Sequence, residues 1–153
     1  MTEHEQLQEA MKQPEAEENT WTPEAWVYFI WVVIGHRVYC KIGYSADPVA
    51  RLSQITGGIP ERPFQIYLLP CLDVEQAKVF ESMLHSHLQK VRAKGEWFSH
   101  NNVKHLYRTI GAEVEMLLAL FKTFGYETEL QQIDLRGRQP VLYDNGIFSH
   151  SVE

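Results

Sequence analysis

The sequence predicts an α/β (α+β) domain with a small three-stranded, mainly antiparallel sheet flanked by helices. Three observations carry that expectation. Trp26 to Ile34 (WVYFIWVVI) is an unbroken apolar run rich in aromatic and β-branched residues, as expected of a strand covered on both faces. Two further short apolar runs follow it, and between and after them lie segments with helix-capping residues and helical apolar spacing. The chain has 153 residues, 44% of them apolar, which suffices for one substantial core.

The elements follow in order. Gly35-His36-Arg37 breaks the first run, and Val38 to Gly43 (VYCKIG) then reads as a second strand antiparallel to the first. Alternation places Tyr39, Lys41 and Gly43 on one face and Val38, Cys40 and Ile42 on the other. Asp47-Pro48 supplies an N-cap and a first-turn proline for a short helix to about Ile55, with Arg51 in its first two turns. Phe64 to Leu69 (FQIYLL) reads as the third strand, giving a sheet from about 26–34, 38–43 and 64–70. Asp73 with Gln76 predicts a helix over roughly 73–92, striped by Ala77, Phe80, Leu84, Leu88 and Val91. Glu81 and His85 lie four apart on its face. Gly95 ends this region before Glu96-Trp97-Phe98, where the aromatics are expected to close the core and the role of Glu96 stays open. A longer helix is expected from about Asn102 to Phe124, stopped by Gly125, and a short strand or hairpin over 139–149 around Asp144-Asn145-Gly146.

Charge divides unevenly. Residues 1–25 hold seven acids against Lys12 alone and so carry the whole net charge of −6, while the rest balances at 13 acids and 13 bases. A neutral body can present a basic face, so the acidic total does not exclude a phosphate-bearing partner. Residues 1–20 have too little apolar content to repay ordering and read as a mobile acidic tail, either merely solubilising or competing in cis for a basic groove. No apolar stretch approaches ~18 residues and the chain opens acidic, so neither a membrane span nor a secretory signal is expected. Cys40 and Cys71 form no CxxC pair and read as small buried hydrophobes in a reducing cytoplasm.

Four short motifs fall in order: VYFI (27–30), KIGYSADPVARL (41–52), FESMLH (80–85) and GEWF (95–98). Over about residues 26–100 the chain resembles the GIY-YIG nuclease superfamily, in the phage-type DNA-binding branch with a KIG second signature and a GEWF end motif. The resemblance implies a GIY-YIG-like fold, a tyrosine of the first signature at Tyr28, the second signature at Lys41-Ile42-Gly43, the helix arginine at Arg51 and a metal-binding glutamate at Glu81. It also implies Mg or Mn as cofactor, DNA as partner and, for a phage-encoded protein, the bacterial host cytoplasm as location. Lys41 departs from the tyrosine of the main branch, and Tyr39, two residues earlier on the same face, is the nearest substitute. Asn101 and Asn102 are candidates for a late asparagine.

The chemistry agrees with these residue types. Phosphodiester hydrolysis needs an activated water, a cation near the developing charge and assistance to the leaving oxygen. Tyr28 can serve as base only if cations such as Lys41 lower its pKa from ~10. Arg51 offers bidentate contacts to phosphate, and Glu81 is a single acidic ligand suited to Mg²⁺ or Mn²⁺. Tyr28, Lys41, Arg51 and Glu81 are therefore expected on one concave surface, with Tyr39 and His85 at its edge. Arg37, Lys41, Arg51 and Arg62 are the expected nucleic-acid contacts, and Lys90, Arg92 and Lys94 form a second basic group. The expected function is a DNA-binding, metal-dependent endonuclease. Two other readings stay open: a DNA-binding module with a degenerate site, and a phage-encoded factor acting on a host enzyme as its protein partner. The stripe Val103, Ile110, Leu117 and Phe124 also permits a homodimer.

Overall fold

The computed structural model describes residues 21–59 and 61–133 and the backbone of 141–142. The acidic segment 1–20 and the Asp144-Asn145-Gly146 turn lie outside the described residues.

The apolar run forms β1 (Ala25–Ile34), which pairs antiparallel with β2 (Arg37–Ser45) on one side and β3 (Gln65–Cys71) on the other. Gly35, at φ +65°, makes the β1–β2 turn in a backbone region that side-chain-bearing residues rarely adopt. The three expected strands are thus the centre of a larger sheet. It gains β4 (Arg92–Lys94) and β5 (Trp97–His100) at the β2 edge, and β6 (Gln131–Ile133) and β7 (Val141–Leu142) at the β3 edge. The strand order is β4-β5-β2-β1-β3-β6-β7. The added strands are two to four residues long, too short for periodicity to reveal them.

Alternation along β1 builds two cores. Val27, Phe29 and Trp31 point to the face covered by α2 (Val74–His87) and α3 (Val103–Thr123), where they meet Phe80, Leu84, Leu106, Ile110, Val114 and Leu117. Burying each such side chain is worth roughly 1.5–3 kcal/mol before conformational entropy is counted. Tyr28 and Ile30 point to the other face, where Leu52 and Ile55 of α1 (Pro48–Gly57) cover them together with Ile66 and Leu68. The caps are those expected. Asp47 accepts from the Ala50 amide at 3.3 Å, Asp73 from the Gln76 amide at 2.8 Å and Asn102 from the His105 amide at 3.0 Å.

One helix expectation is corrected. The helix expected over 73–92 ends at His87, because Leu88 turns into the core and the chain continues through a 3₁₀ turn (Gln89–Val91) into β4. In α3, Ile110 and Leu117 of the heptad-like stripe are fully spent in the protein's own core, whereas Phe124 at its end is 78% exposed. Among the described residues no helix is long and apolar enough to cross a membrane.

Candidate functional site

The site lies at the edge of β2 where β5 leaves it. The β2–β5 pairing runs from Val38↔His100 to Lys41↔Trp97, and the Ile42 amide makes one further bond, to the Glu96 carbonyl at 3.0 Å. Gly95, at φ +57°, turns the chain between β4 and β5 and delivers Glu96 to this point. On β2 the next residue is Gly43, directly opposite Tyr28 on β1. With no side chain at Gly43, the Tyr28 ring crosses β2 and its hydroxyl reaches the sheet edge, donating to Glu96 Oε1 at 3.3 Å. Lys41 Nζ meets the same oxygen at 3.4 Å. From α1, the exposed Arg51 guanidinium lies close enough to the Tyr28 hydroxyl to act on its ionisation.

The opposite face contributes α2. His85 Nε2 lies 2.9 Å from the Ile42 carbonyl oxygen, and because a carbonyl only accepts, Nε2 carries the proton. Glu81 Oε2 is 3.5 Å from the same nitrogen, and the two side chains are about 15% exposed, at 14% and 15%. Glu81 also feels Glu96 electrostatically across the edge. Tyr28 and Lys41 thus meet at Glu96, the residue whose role the sequence left open, and Arg51 and Glu81, with His85 beside Glu81, lie within its electrostatic reach.

The electrostatics correct one chemical expectation. Burial raises the Tyr28 pKa above that of an ordinary phenol; the Arg51 guanidinium opposes this without reversing it, and the Glu96 charge adds to the rise. Lys41 is engaged by Glu96, so it does not free a phenolate. Tyr28 is therefore a hydrogen-bond donor near neutrality and not a ready base. Burial also raises the Glu81 pKa, with His85 opposing and Glu96 reinforcing the shift. Burial pushes both thiols up, Cys71 to about 12, so neither cysteine is a nucleophile near neutral pH.

Other expected residues lie apart. Tyr39 packs edge-on against Trp97, with ring centroids 6.4 Å apart, and is two residues along β2 from Lys41. Arg37 stands near the far end of β2, where its Nε donates to Ser99 Oγ at 2.9 Å. Arg62 belongs to the segment between α1 and β3, where it lines an open depression with Glu61, Leu52 and Ile66. Asn102 is occupied as the α3 cap.

Among the described residues no group of three or more His, Cys, Asp or Glu side chains is placed to hold a metal. A site resting on Glu81 would therefore draw its remaining ligands from water and substrate. That pattern suits Mg²⁺ or Mn²⁺ and not a structural zinc. The desolvated Glu81 carboxylate beside a second negative charge is a position that a divalent cation would relieve.

No curated protein and no solved structure matches the chain. Comparison with protein-family models gives the T5orf172 domain over residues 25–115, from the start of β1 into α3. This overturns the resemblance to the GIY-YIG superfamily, from which Lys41 already departed in place of tyrosine. T5orf172 is a distinct domain of DNA-binding, endonuclease-like kind, so the general class expected from the sequence is retained under a different family. With well over half of its residues matched, the chain belongs to the T5orf172 domain family.

Proposed function

We propose that the chain is a DNA-binding module whose sheet-edge site hydrolyses phosphodiester bonds with a divalent cation at Glu81. The observation that carries this reading is the meeting of Arg51, Tyr28, Lys41 and two carboxylates where Gly43 opens the edge of β2. Arg51 is exposed, which leaves guanidinium N–H groups for bidentate contact with a phosphate. The buried Tyr28 hydroxyl has one proton, so it could donate to a phosphate oxygen only by leaving Glu96. Glu96 holds Lys41 and Tyr28 in place, and His85, fixed by the Ile42 carbonyl, sets the position of Glu81. When bound, Mg²⁺ or Mn²⁺ supplies charge neutralisation at the phosphate and a more acidic water.

One observation favours a second reading, a module that binds without cutting: Glu96 already engages both Tyr28 and Lys41. Binding and cleavage of one fluorescent DNA duplex separate the two. Wild type is expected to bind with strong salt dependence, and Arg51→Ala to bind more weakly with a salt slope reduced by about one. Cutting in Mg²⁺ or Mn²⁺ supports the nuclease; binding without cutting selects the second reading. Absence of binding at low salt contradicts both.

A further inference from the structure

The sheet face that carries Tyr28 is covered unevenly. Leu52 and Ile55 of α1 pack over Ile30, Ile66 and Leu68 of β1 and β3. On β2 and β5 the residues of this face stand outside that cluster: Tyr39, Lys41 and Trp97 are half-buried and Arg37 is exposed. Register groups them. Lys41 is paired with Trp97 and Tyr39 with Ser99, and directly paired residues share a face. Lys41 Nζ sits 5.1 Å from the Trp97 ring centroid, a cation–π contact. The Tyr39 and Trp97 rings are perpendicular, at 85°. An edge-to-face pair takes one of the four ring faces and Lys41 takes another, so these contacts account for two of the four faces. Cations surround the pair: Lys41 beside it, Lys94 opposite Trp97 on β4, and Arg37 two residues from Tyr39, with its terminal amino groups left over from the Ser99 bond.

A partly exposed aromatic pair ringed by cations matches the chemistry of an unstacked nucleotide, whose base offers a π-face and whose phosphates carry negative charge. A duplex keeps its bases stacked inside and presents no such face. We propose that Tyr39 and Trp97 form a stacking platform for an unpaired nucleobase next to the phosphate site. The DNA bound there is then single-stranded or carries a flap or fork at that position. Tyr39, expected from the sequence to take part in the chemistry, becomes a binding residue. The inference rests on the phosphodiester reading of the adjoining site and adds the form of the substrate.

The test compares two labelled oligonucleotides of equal length and charge, a thymidine oligomer and its abasic counterpart, by fluorescence anisotropy at low salt. Wild type is expected to bind the thymidine oligomer at least about fivefold more tightly, the lower end of one base stacking on an aromatic ring. Tyr39→Leu and Trp97→Leu should bring the ratio towards one, and Trp97→Phe should preserve it. Should Trp97→Leu lose cooperative unfolding by circular dichroism, the wild-type ratio and Tyr39→Leu decide. Equal affinity of wild type for both oligomers overturns the platform while leaving phosphate binding intact. Failure to bind either oligomer or a duplex overturns the phosphodiester reading as well.

Discussion

Replacing Gly43 by alanine tests the arrangement at its narrowest point. The Gly43 backbone does not have a positive φ, so alanine is admissible there and only space decides the outcome. An ideal Cβ would fall 2.5 Å from Tyr28 Cζ and 2.7 Å from Glu96 Oε1. Carbon atoms in good contact sit ~3.5–4.0 Å apart, so the shortfall at the ring is about 1 Å. The ring is fully buried among Ile30, Ile66 and Leu68 and cannot swing aside freely. Forcing a methyl group into a packed core costs ~1–3 kcal/mol, and losing a glycine from the unfolded chain returns ~0.4–1 kcal/mol. Strain wins, and Gly43→Ala should destabilise by about 1–2 kcal/mol in urea unfolding, with an unchanged m-value. In a Tyr28→Leu background the hydroxyl and Cζ are gone, so the same change should cost less and the pair should be non-additive. A neutral or stabilising Gly43→Ala, or simple additivity with Tyr28→Leu, refutes the claim that Tyr28 reaches the edge over Gly43.

Glu81→Gln should stabilise the protein at neutral pH. Burial raises the Glu81 pKa, so the folded state favours the protonated carboxyl, and its stability falls as pH rises from the unfolded carboxylate range through the folded pKa. The amide escapes that loss, and the difference from wild type should close below the ordinary glutamate range; thermal unfolding between pH 4 and 8 showing a pH-independent gap speaks against it. Deleting residues 1–20 removes six acids and one base, so the shortened protein should bind DNA more tightly at low salt, with the gain shrinking as salt is added. Equal affinities across a salt titration would reduce that segment to a solubilising extension.

The centre of the fold was legible because it is carried by strong local signals. The β1 run is ten residues of apolar chain, and each long helix opens on a side-chain cap. The sheet edges were not legible, because β4 and β6 hold three residues each, and β5 and β6 depend on partners far along the chain. The candidate site divides in the same way. Tyr28, Lys41, Arg51 and Glu81 could be singled out as residue types suited to phosphate chemistry. Glu96, which links them, could not, because its bond to Tyr28 spans 68 positions and follows from the register of β2 with β5. A glycine turn placing an acid opposite a strand lysine was the available signal. Tyr28 as a base failed for a related reason: sequence shows which cations are near in the chain, whereas burial and Glu96 set the pKa.

The most direct test is supercoiled plasmid nicking in Mg²⁺ or Mn²⁺ by wild type and by Glu81→Gln, with DNA affinity measured alongside. In the proposed reading Glu81 is the carboxylate on which cleavage turns, while Arg51 and Lys41, the cations proposed to face phosphate, are untouched by the substitution. Wild type should give open circles and Glu81→Gln none, with near-equal DNA binding by the two. Nicking by Glu81→Gln at the wild-type rate would contradict cleavage at this site.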